Sequence, residues 1–166
     1  VLRTLSLPEQ VLGDEEVRRL AEVKPGGWYP IGWLLELMEK LDERVGYYGL
    51  LRMGRMVFSL SHEERVLASA SCARDIVYGL DAMYHHANRG TGIGGWKVTR
   101  FEPGYAEVEK NTPHHCVMEQ GILKAALAAV GAPSLVTQPA CFRQGAPVCL
   151  YTITSVIVDE RWSGKT

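Results

Sequence analysis

Apolar residues recur at helical spacing through the first half of the chain and alternate with polar ones in the second, and this change of period divides it into two halves. Asp14 and Glu15 precede a short amphipathic stretch, Val17 to Val23, which ends before the breaker Pro25-Gly26-Gly27. Pro30 suits a first helical turn, and Ile31, Leu34, Leu35, Met38 and Leu41 keep one face apolar until Gly46. Leu50, Leu51, Met53, Met56 and Val57 predict a further short helix. Ser61-His62-Glu63-Glu64 has the Ser-x-x-Glu form of a capping box, which predicts a long helix through Val66, Ile76 and Met83 that stops near Gly90.

Beyond Gly90, Trp96 to Phe101 and Tyr105 to Val108 flank Pro103-Gly104 and read as two strands joined by a turn. Cys116 to Val130 reads as a helix stopped by Gly131 and Pro133. Leu135 to Phe142 and Val148 to Val158 predict a second strand pair around Gly145-Ala146-Pro147. Helices, hairpin, helix, hairpin is the order of an α+β fold: N-terminal helices packed on an antiparallel sheet of about four strands with an inserted helix. With no repeat or linker in view, the expectation is a single ligand-binding domain over residues 1–166, helical to about residue 90 and sheet-containing from about 91 to 166.

Composition narrows the function classes. The 166 residues are 46% hydrophobic and 22% charged, enough for a folded core. Eighteen Lys and Arg nearly balance nineteen Asp and Glu, and no basic run is interleaved with aromatics, so nucleic acid is not an expected partner. The apolar run Ala125 to Val130 is far short of the roughly 20 residues that cross a bilayer. Val1-Leu2-Arg3-Thr4-Leu5 lacks the pattern of a signal peptide, and the four cysteines then read as thiols or metal ligands in a reducing cytoplasm.

Chemistry concentrates in Cys116, Gln138-Pro139-Ala140-Cys141, Gly145 and Cys149. Two cysteines on neighbouring strands can meet a third at a nearby helix start and hold zinc, or all three can be small buried hydrophobes. Cys72 falls within a helix and reads as core. Other features carry less. His85 and His86 suit a helix end. Gly90-Thr91-Gly92-Ile93-Gly94-Gly95 lacks the Gly-Lys-Ser/Thr ending of a phosphate loop. Glu107 and Glu109 alternate towards water, and Ser6, Ser59, Ser61 and Ser69 sit in no nucleophile elbow. No acid–base pair supports an enzymatic role.

The run His115-Cys116, a helix with Gly121, Leu123 and Leu127, then Gln138-x-x-Cys141-x-x-x-Gly145-x-x-x-Cys149-x-Tyr151, resembles the C-terminal half of four-vinyl-reductase domains, which include the sensory domains of phenol-responsive bacterial activators. The resemblance covers roughly residues 95 to 158. It implies a fold shared with haem-based nitric-oxide sensors and with small subunits of a Golgi tethering complex, in a superfamily whose members often dimerise. It further implies zinc on Cys116, Cys141 and Cys149. Gln138 stands where the family has a glutamate, so His115 or His114 is the expected substitute ligand. The haem-binding branch has a Tyr-x-Ser-x-Arg motif that this chain lacks, which makes haem or another tetrapyrrole the lesser expectation.

The functional expectation is a small-molecule-binding sensory domain of a cytosolic signalling protein. A small apolar or aromatic ligand would lie between helices and sheet, lined by Trp28, Trp33, Trp96, Phe101 and Tyr105. The rival is a non-catalytic dimerisation module with a filled core, and the apolar helix Ile31 to Leu41 favours a homodimer in either case.

Overall fold

Acidic residues open α1 (Asp14–Ala21), whose start at Asp14 precedes the expected Val17 because Asp14, Glu15 and Glu16 all favour a first turn. The computed structural model describes residues 12–165, so Val1 to Leu5 and Ser6 lie outside the described residues. α2 (Ile31–Ser61) contains both helices expected there, joined at Gly46, whose φ of 60° and ψ of −169° need a residue without a side chain.

The long helix expected from Ser61 is instead two helices. Ser61 is the last residue of α2, α3 (Glu63–Leu67) is a single short piece, and α4 (Ala73–Ala87) begins afresh. The capping carboxylate is Asp75: its Oδ2 accepts from Ser71 N at 2.8 Å, Ser71 Oγ at 3.1 Å and Cys72 N at 3.2 Å. Those donors would be orphaned at the start of α4, so Asp75, and not the Ser61 motif, fixes where the helix begins. Asp75→Ala should cost about 1 kcal/mol in chemical denaturation. The hydrogen bonds from Ser71 hold this carboxyl below its ordinary value. The contribution is therefore complete at neutral pH and is lost as pH falls through that lowered pKa, so wild type and variant should converge in acid.

β1 (Trp96–Glu102), β2 (Tyr105–Lys110), β3 (Leu135–Ala140) and β4 (Cys149–Thr154) form one antiparallel sheet in the order β1-β2-β4-β3. α5 (Cys116–Ala129) is inserted between β2 and β3. β3 and β4 are shorter than expected because Phe142–Gln144 forms a 3₁₀ turn and the chain after Thr154 turns away towards α6 (Glu160–Ser163). Register shifts occur between Val98 and Arg100 and around Pro139, which has no N–H for the ladder.

One core lies between α4, α5 and the sheet, and includes Ile76, Leu80, Val108, Leu127, Tyr151 and Ile153. A second joins α1, α2 and α5 through Leu12, Leu37, Met38, Leu41, Leu50, Met53 and Met118. Leu37, Met38 and Leu41, the face that argued for a homodimer, are thus buried within the chain. α2 and α5 cross where Gly54 meets Gly121: a Cβ on either would lie 3.1 Å from the other's Cα and would overlap a main-chain carbonyl of the facing helix. Among the described residues no helix is long and apolar enough to cross a membrane.

Candidate functional site

The hairpin of β3 and β4 faces the first turn of α5, and this junction brings three cysteines together. Cys116 opens α5, Cys141 ends the extended segment after β3, and Cys149 opens β4. Their sulfurs are 3.3 Å (Cys116 to Cys149), 3.5 Å (Cys116 to Cys141) and 3.9 Å (Cys141 to Cys149) apart. The turn between the strands is pinned by Gln144 N and Ala146 N donating to Cys141 O, at 2.9 and 3.1 Å, and by Gly145 at φ 92°. Phe142 N donates to Cys149 Sγ at 3.4 Å, and Tyr151 Oη donates to Cys116 O at 2.8 Å. All three thiols are free and buried; Cys72 is buried at the start of α4 and is not in the group.

Lys110 enters this site from β2. It pairs directly with Cys149 across the ladder, its side chain is fully buried, and its ammonium donates to His114 O at 2.9 Å and pairs with Glu119. Glu119 also accepts from Thr112 Oγ1 at 2.9 Å. Burial pushes the Lys110 pKa down to about 8, against the opposing pull of the three sulfurs. Burial alone would raise the Cys116 pKa, but the Lys110 charge, the adjacent Gln138 amide and the other two thiols bring it below the ordinary value. Burial and the neighbouring Cys116 push Cys149 up. One thiolate is thus favoured in a buried, cation-balanced pocket. The sequence carried a signal for Lys110: it continues the inward phase of Ala106 and Val108 on β2.

The donor set fits a zinc ion. Three thiolates at zinc–sulfur bonds near 2.3 Å around a tetrahedral ion lie about 3.8 Å apart, close to the observed separations. Gln138 Nε2 is buried beside Cys116 without a hydrogen-bond partner of regular geometry. His115 is placed otherwise than expected: its Nε2 lies 3.2 Å from Asp42 Oδ2 and it is outside the three-sulfur group. His114 donates from Nε2 to Asn88 Oδ1 at 3.0 Å.

The five aromatics expected to line a pocket do not converge. Trp96 stacks on Tyr151 at 5.6 Å and Phe101 on Trp162 at 5.3 Å, both filling the space between α4 and the sheet. Tyr105 Oη donates to Glu107 at 2.5 Å on the outer side. Trp28 is half exposed under the Arg89 guanidinium, 3.9 Å from its ring centre. Trp33 and Tyr29 border an open groove between α1 and α2 where Arg19 lies over Trp33 at 4.7 Å.

A cleft of about 170 Å³ opens between α3 and α4, with Ala126 of α5 among its lining residues. Val66, Ala70, Ile76 and Met83 supply apolar walls, and His62, Arg65 and His86 supply polar ones. A cavity of about 150 Å³ is matched to one benzene ring, so a four-ring tetrapyrrole does not fit here despite the two imidazoles. The groove beside Trp33 offers no imidazole or thiol to an iron. His85, the remaining histidine expected at the helix end, sits 2.9 Å from Asp81 O and 3.3 Å from its carboxylate.

No family model matches the sequence, and no curated protein does. Solved structures do. An H-NOX protein from K. algicida, Fe(II) unliganded, aligns over 93% of this chain and 94% of its own at 12% identity, with a TM-score of 0.71. A point mutant of the T. tengcongensis H-NOX aligns over 95% and 93% at 13% identity, with a TM-score of 0.68. The S. oneidensis H-NOX in its Fe(II)NO state aligns over 81% and 80% at 13% identity, with a TM-score of 0.65. The helical layer, the four-stranded sheet and the inserted α5 together give this chain the α+β fold of the H-NOX domains.

Proposed function

We propose that this chain is a small-molecule sensory domain in which the H-NOX fold operates without haem, with a structural zinc ion at the α5–hairpin junction. The observation that carries the proposal is the convergence of Cys116, Cys141 and Cys149 within 3.9 Å in a buried site. That convergence, with the spacing of the sequence motif, supports a place in the four-vinyl-reductase branch. Zinc would be held by the three thiolates, with Gln138 Oε1 or a water completing the set, and its role there is to join the two ends of the sheet half to α5. Lys110 balances the excess negative charge of three thiolates around a dication.

The ligand site in this reading is the cleft between α3 and α4, in place of the space beside Trp96 and Phe101. A ligand that seats there touches α3, α4 and α5 together, so it can bias how α3 packs on the rest of the chain. The burial of Leu37, Met38 and Leu41 removes the argument for a dimer through that helix face, and the sensing proposal needs no second copy.

Thermal melting with a panel of phenols, fatty acids and tetrapyrroles tests the reading. A single-ring ligand at about 100 times its dissociation constant adds about 2.7 kcal/mol to stability and raises the melting temperature, whereas haem should not. A shift produced by haem alone would contradict the proposal, and no shift across the panel would leave a filled interaction module as the better account.

A further inference from the structure

We infer that the α3–α4 cleft takes a monocyclic aromatic carboxylate, its ring on the apolar wall and its carboxylate on Arg65. This deepens the sensing proposal and rests on it. The size comes from the cleft itself: about 170 Å³ accommodates one ring with a small substituent and little more. The space persists because small residues face it. A Cβ added at Gly79 would meet nothing within 4 Å, and Ala70, Ala82 and Ala126 are also among the lining residues.

Asp75 and Arg65 are the carboxylate and the guanidinium among the lining residues, beside the imidazoles of His62 and His86. The Oδ2 of Asp75 is already held by Ser71 and Cys72 at the start of α4. Arg65 has no ion pair or hydrogen bond to any described residue, and burial, helped by the nearby Arg65, disfavours a positive charge on His62. An uncommitted guanidinium beside an apolar wall is a receptor for a planar carboxylate, which it engages through two parallel N–H donors. Neutral His62 adds a donor or acceptor without competing for the charge. A cationic ligand would face Arg65, and a fatty acid would exceed the space.

Sodium benzoate and benzamide, equal in shape and different in charge, provide the test. Each is titrated into the full chain and its dissociation constant read from shifts of the backbone amide signals. Benzoate should bind at least about tenfold more tightly than benzamide, the size of a charge-assisted hydrogen bond. Arg65→Gln should abolish that difference while leaving benzamide unchanged. Gly79→Leu, which improves helix propensity and so keeps the fold, should block both compounds by filling the space. Equal binding of benzoate and benzamide, or an Arg65→Gln variant that still prefers benzoate, would overturn the carboxylate assignment while leaving the sensing proposal intact. If neither compound binds at millimolar concentrations, the cleft assignment itself falls, and the wider panel decides separately whether the chain senses a ligand elsewhere.

Discussion

Chelation of zinc, or its exclusion by Cys149→Ser, should lower the stability of the chain by on the order of 5 kcal/mol. The argument is one of linkage: an ion held by three thiolates in the folded state and weakly in the unfolded one adds its binding free energy to folding. Cys149 joins β4 to α5 through the ion, and β4 is a central strand of the sheet, so the loss would spread through the larger core. After chelation the three unligated thiols would remain packed against the Lys110 ammonium, with nothing to balance a second or third thiolate. Urea denaturation of the purified protein, the chelated protein and the variant should give one midpoint for the first and a common, lower midpoint for the other two. If the chelated protein is as stable as the untreated one, the cysteines are core packing and the centre is not structural.

Gly121→Val should cost at least about 4 kcal/mol, an effect usually reserved for deep core truncations. At the crossing of α2 and α5 the two backbones touch through Gly54 and Gly121, and any side chain there drives against Leu51 O, part of a helix that cannot move alone. The cost is separation of α2 from α5 and loosening of Leu50, Met53 and Met118 in the second core. Gly32→Ala, on the facing helix α2 but with nothing within 4 Å of the added carbon, is the control and should be neutral or mildly stabilising. Equal midpoints for the two variants in a denaturant titration would contradict the close-packed crossing.

The parts of the fold that could be read from the sequence are those where local chemistry and tertiary packing agree. Pro103-Gly104 marks the β1–β2 turn, Gly131 ends α5, and the cysteine spacing matches a real convergence. Failures have specific causes. Ser61-x-x-Glu64 imitates a capping box, but the donors that need capping lie ten residues on, where Asp75 serves them. Gly54 has a role that is visible only once Gly121 is placed opposite it. Aromatics at the boundary between helices and strands suggest a pocket lining, yet a ring is as good at filling such a space as at bordering it. Trp96 and Phe101 fill it, aided by Trp162, which is fully buried with its Nε1 donating to Glu102 O at 2.7 Å. The cleft itself is announced by the absence of bulk at Ala70, Gly79, Ala82 and Ala126, a signal with no local pattern to betray it.

The most direct measurement is elemental analysis with a visible absorption spectrum on protein purified without added metal. The account predicts one zinc ion per chain, reduced below half by Cys149→Ser, and no haem absorption in either protein; a haem band in place of zinc would contradict it.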